Sequence, residues 1–573
     1  MKQKPAPQIL HTPYEAQLPE IPWNEYPRPQ LRRDSFFCLN GEWELSIWRR
    51  GEAVYEGKIL VPFPVESRLS GVERRVEKYD LLCYRKTFTL PEGFQKDRVI
   101  LHFGAVDQFC RVFLNGALLG EHTGGYLPFF FDLTPALLPG ENQLRVEVTD
   151  PLDRDLPWGK QTETPGGMWY TPVSGIWQTV WLESVAEEAI TNLTVTPLLN
   201  SVTIRVEGGL PEKVFSLKAA GMAPVEIPFT GDTLTFSPEV VRNWYPEDPY
   251  LYDFEIRSGQ DRVASYFALR TVEVSGREIL LNGRPIYFHG VLDQGYYPDG
   301  IYLPATPEGY VQDIRSMQAL GFNTLRKHIK IEPEQFYYHC DRLGMLVFQD
   351  FVNSGNYSFF LDTALPTVGI KKGLVRSASP RRKKIFKAAA RETIDRLYNH
   401  PCVVLYTIFN EGWGQHDADA LYDFCRQLDP SRVWNTSSGW FKARNTDIQS
   451  EHVYFKPLRL KAGEKPLLVT EFGGYTLTLK EHAFRPELTY GYRSFRDREA
   501  LMEGLTALYE KQVLPAIKHQ GLSGTILTQL SDVEEETNGM LTYDRQVVKV
   551  EEDTMASIAR SLYEAFAAAN RKG

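Results

Sequence analysis

The chain has 573 residues, of which 43% are hydrophobic and 24% charged, so it carries enough apolar matter for several cores and does not have the composition of an extensively disordered protein. Its formal net charge of −9 argues against a large nucleic-acid footprint, because such surfaces carry a basic excess. No stretch nears the roughly 18 uninterrupted apolar residues of a membrane span, the six cysteines form no CxxC pair, and the opening MKQKPAPQILHTPYEAQLPE lacks an apolar signal core. The expectation is a cytoplasmic protein of three or four domains, at roughly 100–200 residues each, with no cofactor and no nucleic-acid or membrane partner. A homo-oligomer is left open. Aromatics make up 13% of the chain, which suits stacking on sugar rings and equally suits β-sandwich cores.

Residues 1–186 read as all-β. Short alternating runs, Gly41–Trp48, Arg98–Phe103, Cys110–Leu114 and Gln143–Val148, are separated by turn dipeptides such as Asn115-Gly116 and Pro139-Gly140. That spacing predicts a β-sandwich of the jelly-roll kind. Residues 187–275 continue in strands, Ile190–Val195, Val202–Val206 and Tyr250–Ile256, with no clustered chemistry, and fit a small immunoglobulin-like sandwich.

From residue 276 to 573 the pattern changes. Eight short apolar runs alternate with helical periods: Ile286–Leu292, Asn323–Lys327, Met345–Asp350, Val403–Asn410, Val433–Thr436, Ile448–Tyr454, Leu467–Glu471 and Gly524–Leu530. The clearest helix is expected to start at Thr306 as N-cap with Pro307 at N1, to run through Tyr310, Ile314 and Met317, and to stop at Gly321. Eight strands with crossover helices predict a (β/α)8 barrel, although the run after Val433 has no clear helix behind it. A doubly wound sheet is the alternative, but no GxGxxG follows a strand here. The basic cluster Lys371, Lys372, Arg376, Arg381, Arg382, Lys383 and Lys384 reads as a solvated loop entering a helix.

Active sites of such barrels sit at the carboxyl ends of the strands. There the sequence places Arg326, Lys327 and His328 after the second strand, Asp350 after the third, Asn410 and Glu411 after the fourth, His452 and Tyr454 near the sixth, Glu471 after the seventh, and Gln529, Asp532 and Glu534 after the eighth. A carboxylate ending a buried strand loses hydration, and its pKa rises unless it is partnered. One such glutamate is most simply a strand-end ion pair. Two of them, with Arg326 and Asn410 between, match what glycoside hydrolysis requires: one carboxyl protonated for the leaving oxygen and one ionised to attack the anomeric carbon.

FNEGWGQ (Phe409–Gln415) and VTEFGG (Val469–Gly474) resemble the acid/base and nucleophile motifs of glycoside hydrolase family 2, the family of β-galactosidases, β-glucuronidases and β-mannosidases. The resemblance extends over LNGEW, VPFPVE, FLNGALLGEHTGGYLPF and GGMWYTPVSGIWQTVWLE in the first domain, LNGRPIYFHGV at the barrel entry and LSDVEEETNGMLTYDR after the last strand. It implies Glu411 as acid/base and Glu471 as nucleophile. It further implies Asn410 on the hydroxyl beside the anomeric carbon, Arg326 and Tyr454 supporting the nucleophile, and His328 and His452 on sugar hydroxyls. Asp350, Trp413, Gln529 and Glu534 complete the expected substrate-binding set. The loop Gly159–Trp169 and Tyr126 are the parts of the first domain expected to shape the mouth.

The chain departs from the family in places. Glu536-Thr537-Asn538-Gly539 stands where β-glucuronidases carry an Asn-x-Lys-Gly grip for the sugar carboxylate. The resemblance therefore implies a retaining, exo-acting hydrolase of glycosides or oligosaccharides ending in a neutral sugar, with a β-galactoside first. Arabinofuranosides, mannosides and glucuronides are the alternatives within the family. A non-catalytic carbohydrate binder and an inverting glycosidase are the alternatives outside that reading.

Overall fold

The computed structural model describes residues 5–218, 223–367 and 377–571. Alternation writes the first sandwich. In Glu141–Thr149 every second residue is buried. A six-stranded antiparallel sheet, built on Gly41–Arg49, Asp80–Thr89 and Glu141–Thr149, faces a four-stranded one built on Arg98–Phe103 and Val180–Val185. Between them lie Trp43, Tyr84, Leu101, Val112 and Leu182. Asn115 and Gly116 take φ of +51° and +84°, as a tight hairpin turn between Phe109–Leu114 and Ala117–Thr123 requires. A second pair of sheets, of three and four strands, begins at Ile190–Pro197 and ends at Asp261–Phe267, over Phe215, Phe236, Phe254 and Phe267.

The C-terminal part is a near-closed barrel of eight parallel strands: β1 Phe288–Asp293, β2 Thr324–Lys327, β3 Leu346–Asp350, β4 Val403–Asn410, β5 Val433–Ser438, β6 Gln449–Val453, β7 Leu467–Gly473 and β8 Leu522–Thr528. β8 pairs with β1 and β7, and the row ends at β5 and β6. There a backbone bond from Asp447 N to Trp434 O (2.9 Å) and an Asn435 Nδ2–Ser450 Oγ contact (3.4 Å) bridge the seam. β4 and β7 are buried at every residue, as expected of parallel strands covered on both faces. All eight expected runs fall on these strands. Among the described residues no helix lies between β5 and β6, in line with the missing helical period after Val433, and none lies between β6 and β7, where the expected alternation fails.

Two further expectations need correction. The helix Glu308–Ala319 starts after Pro307, and the Thr306 hydroxyl makes no cap, leaving Pro307's fixed φ to start the first turn. Of the basic cluster, Lys371, Lys372 and Arg376 lie outside the described residues. The remainder is not simply solvated: Arg381 bonds Asp153 of the first sandwich at 2.8 Å and Lys383 pairs with Asp417 at 2.8 Å.

Both sandwiches dock on the barrel, at opposite ends of its strands. The second reaches the entry to β4, where Asn399 Nδ2 donates to Leu193 O (2.7 Å) and Trp244 Nε1 to Asp341 O (2.8 Å). The first reaches the strand exits. Trp158 N and Nε1 donate to Asn353 O and Gly355 O, Thr171 N donates to Glu534 Oε1 (2.7 Å), and Tyr170 OH donates to Glu536. Glu534 is thus a docking residue: burial pushes its carboxyl up to about 7 against the Thr171 N–H bond, and its Oε2 finds no partner among the described residues. Its folded pKa lies above the unfolded value of roughly 4.3. Its contribution to stability is therefore full below that value and is lost as pH rises toward 7. Glu534→Gln keeps the acceptor and removes the charge. It is expected to match the parent in Tm near pH 4 and to exceed it by a growing margin up to pH 8. A margin that stays flat across that range contradicts the burial argument.

Candidate active site

β2 delivers the centre of the site. Arg326 is fully buried, and its donors reach residues of four other strands. Nε and Nη2 grip Asp350 on β3 at 3.0 and 2.9 Å. Nη2 also donates to Asn410 Oδ1 on β4 (2.9 Å) and to Ser438 Oγ on β5 (3.1 Å). Nη1 donates to Thr470 O and to Glu471 Oε1 on β7, both at 2.9 Å.

The two glutamates have unequal surroundings. Glu471 holds Arg326 on one oxygen and the Tyr454 hydroxyl on the other (2.5 Å). Burial pushes its carboxyl up. The charges of His452, Arg326 and His328 and the Tyr454 hydrogen bond outweigh that and leave it well below the ordinary carboxylate range. Arg326 is the dependable cation of the three near neutral pH, since burial holds His328 at about 4. The Glu411 carboxyl meets His452 Nδ1 at 2.8 Å, and that nitrogen lies 3.4 Å from Glu471 Oε2. An oxygen of each glutamate lies within 4.8 Å of the other.

Local backbone sets these positions. Glu411 takes φ +53°, an uncommon value for a side-chain-bearing residue, and turns the chain at the end of β4. Gly412 follows at φ +73°, where a Cβ would lie 2.1 Å from the Phe441 ring. Gly474, at the end of VTEFGG, has φ +65° and lets the Tyr492 ring approach to 2.2 Å of where a Cβ would stand. Tyr492 in turn stacks on Tyr454 with ring centroids 3.8 Å apart. The second glycine of the motif therefore acts on Glu471 through two tyrosines.

Eight of the expected site residues converge: Arg326, His328, Asp350, Asn410, Glu411, His452, Tyr454 and Glu471. Asp350 is corrected from sugar contact to support. Arg326 takes both its oxygens and His328 Nδ1 one of them (2.9 Å), and burial of the charge is more than offset. Trp413 is a buried wall: its Nε1 donates to Gly355 O (2.9 Å), and its ring meets Trp158, Trp169 and Tyr357. Gln529 is buried against Asn538 (2.8 Å), and Glu534 serves docking. The expected part of the first domain does arrive. Met168 lines the cavity that opens at Glu411, and Tyr126 is buried beneath the loop, its hydroxyl on Trp158 O (3.1 Å). Three residues, Ser438, Tyr492 and Lys160, were missed, and Glu536 was read only as the acidic residue that replaces a uronate grip. Ser438 donates to Asn410 Oδ1 (2.7 Å), as Arg326 does, so protein donors take that amide's oxygen. Tyr492 stacks as described. Glu536 is buried, so its carboxyl is raised, and Lys160 acts electrostatically on both His328 and Glu536. The short strand ending TSSGW was a signal for Ser438; nothing local marks the others.

Glu411, His452 and Glu471 form the one described group with metal-ligand spacing. Arg326, 2.9 Å from Glu471, opposes a dication there, and mutual hydrogen bonding already accounts for the convergence. Paired carboxylates at the exits of β4 and β7, one of them held by a buried arginine, define a barrel site of the glycoside-hydrolase type.

Comparison with known proteins agrees. Residues 272–489 match the family model "Glycosyl hydrolases family 2, TIM barrel domain", and residues 71–174 match "Glycosyl hydrolase 2 galactose-binding domain-like". The chain belongs to glycoside hydrolase family 2. It is 25% identical over 384 residues to a β-galactosidase of Thermoanaerobacter pseudethanolicus, covering 61% of this chain and 47% of that one. A β-galactosidase of Pseudoalteromonas haloplanktis is 23% identical over 601 residues, covering 88% and 54%. The chain thus spans about half the length of the curated relatives it matches. Among solved structures, a β-D-glucuronidase of Dictyoglomus thermophilum superposes with TM-score 0.75 at 19% identity, covering 93% of this chain and 98% of that one. A β-galacturonidase of Eisenbergiella tayi superposes with TM-score 0.68 at 21% identity, covering 94% and 98%.

The hub invites one test of structure alone. Arg326→Met leaves Asp350 and Glu471 buried without their shared cation. The expected loss is about 3–5 kcal/mol of stability, read as a clear fall in Tm at pH 7. A Tm within experimental error of the parent would show that the two carboxylates do not depend on it.

Proposed function

We propose that the chain is a retaining, exo-acting β-glycosidase in which Glu471 attacks the anomeric carbon and Glu411 serves as acid, then base. The observation that carries this is the spacing. Retaining pairs stand roughly 5–5.5 Å apart, whereas inverting pairs stand at roughly 6.5–9.5 Å to admit a water. Here an oxygen from each glutamate lies within 4.8 Å of the other. The unequal surroundings assign the roles. Glu471, cation-paired and hydrogen-bonded, is held ionised as a nucleophile must be. Glu411 has no comparable cation, lies at the open cavity and is free to exchange a proton with a leaving oxygen. The Asn410 NH2 edge supports binding of the adjacent hydroxyl. The first-domain loop from Trp158 to Tyr170, packed across the strand exits, supports exo action by walling one side of the mouth.

A neutral terminal sugar, β-galactoside first, is the substrate reading. Glu536 and Asn538 stand where a uronate grip would need a cation, and carboxylates and amides suit hydroxyls. An acidic sugar is the second reading, and Lys160 favours it, because its charge acts on residues on both sides of the site. A panel of β-galactoside, β-glucuronide, β-galacturonide, β-mannoside and α-L-arabinofuranoside separates the two. The first reading expects a neutral glycoside to be fastest. The second expects a uronide to be fastest, with Lys160→Met lowering kcat/KM on it about tenfold or more relative to neutral glycosides.

Glu471→Ala is expected to cut turnover by roughly four orders of magnitude, with azide restoring product of opposite anomeric configuration. Glu411→Ala should spare substrates with good leaving groups in the first step. Tyr454→Phe removes a donor to the ionised Glu471, so the acid limb of the pH–rate profile moves to higher pH and kcat/KM falls about 10–100-fold. Inverted product from the parent enzyme overturns the mechanism.

A further inference from the structure

Resting on the glycosidase reading, the next question is what the sugar is attached to. The described surface carries few large exposed apolar side chains in one place, and such clusters mark contact sites. Phe359 and Phe455 are 61% and 66% exposed, and they face the same cavity of about 790 Å³. Trp440, Pro366, Pro457 and Met168 complete its apolar wall. Lys456, Arg459 and Glu451 line the cavity too, and Glu451 pairs with Lys442.

The inner end of the cavity identifies its use. Glu411, His452 and Tyr454 line it, and Glu471 is not among its lining residues. In a double displacement the acid/base stands beside the departing oxygen, and the nucleophile stands across the anomeric carbon from it. A cavity that opens at Glu411 is therefore on the leaving-group side. Its volume is in the range of sites that enclose drug-sized ligands, well beyond one methyl group. A second sugar needs hydroxyl partners along its length. Two exposed phenylalanines, a tryptophan, two prolines and a methionine supply flat apolar contact instead.

We infer that this cavity is an aglycone site for planar aromatic or fused-ring alcohols, so that the chain releases a terminal sugar from such conjugates in preference to an oligosaccharide. The anomeric C–O bond breaks, the alcohol leaves with the proton from Glu411, and water supplies the hydroxyl that ends on the sugar.

Leaving-group acidity must be held constant to test this, so all substrates should release alkoxides. With the sugar that the panel selects, methyl, benzyl and 2-naphthylmethyl glycosides are compared with a disaccharide. The expected order of kcat/KM is naphthylmethyl, benzyl, then methyl and disaccharide. In Phe359→Ser/Phe455→Ser, two exposed positions whose change leaves the core intact, the naphthylmethyl-to-methyl ratio should fall about tenfold or more. A disaccharide that equals the naphthylmethyl glycoside, or a ratio unchanged in the double variant, overturns the inference. Binding of free 2-naphthylmethanol, followed by tryptophan fluorescence, reads the cavity without turnover. Saturable binding weakened in the double variant supports the aglycone site even if every glycoside tested is inert, a result that would count against the glycosidase reading alone. No binding at concentrations up to solubility counts against the site itself.

Discussion

The site depends on one buried guanidinium. A charge with no exposed surface is costly unless every donor is engaged and its charge is matched. Arg326 meets both conditions with Asp350, Asn410, Ser438, Thr470 O and Glu471. Only a planar fork can serve these directions together; a lysine has three donors on one atom and no fixed plane. Because those partners come from β3, β4, β5 and β7, the barrel cannot shift one strand without breaking a bond to Arg326. The catalytic geometry and the barrel's register are thus held by the same group.

That arrangement also separates two chemically identical side chains. Glu411 and Glu471 end apolar strands, β4 and β7, in similar motifs, yet the arginine reaches only one. Asp350 takes the bidentate face of the guanidinium, which leaves Nη1 for Glu471 and none of its donors for Glu411. Asp350 therefore matters without touching substrate: it aims Arg326, and it orients His328 through Nδ1. His452 completes the asymmetry by lying nearer Glu411 than Glu471, at 2.8 against 3.4 Å.

The barrel strands and the polar residues at their ends were legible because parallel strands buried on both faces must be apolar throughout, so a polar residue at the exit stands out. Glu411, Glu471, Arg326, Asn410 and Tyr454 were found this way. The same rule cannot say which way a strand-end side chain faces. Asp350 and Glu534 were therefore read as sugar contacts, when one faces an arginine and the other a neighbouring domain. Ser438 was missed because the expected run stopped at Thr436, two residues before the strand ends. Glu536 stands two residues from Glu534 in an irregular stretch where no periodicity assigns sides. Lys160 lies in the loop Gly159–Trp169 that was expected at the mouth, but nothing in the loop's sequence singles out the lysine.

Docking is what turns a barrel with a carboxylate pair into a bounded pocket. The loop that carries Lys160 and Met168 is pinned at both ends: Trp158 bonds the turn after β3, and Tyr170 and Thr171 bond the acidic residues after β8. Between these anchors Trp158 and Trp169 stack at 5.4 Å, and both rings meet Trp413, two residues past Glu411. Displacing the loop would expose three large aromatic rings and strip Glu536 of its tyrosine. The cost of opening is therefore set mostly by apolar area, which is insensitive to pH, with a smaller part from the loop's hydrogen bonds to Glu534, Glu535 and Glu536. The first sandwich is in this sense part of the wall of the site, although the carboxylates, the arginine and the amide of the candidate site all come from the barrel.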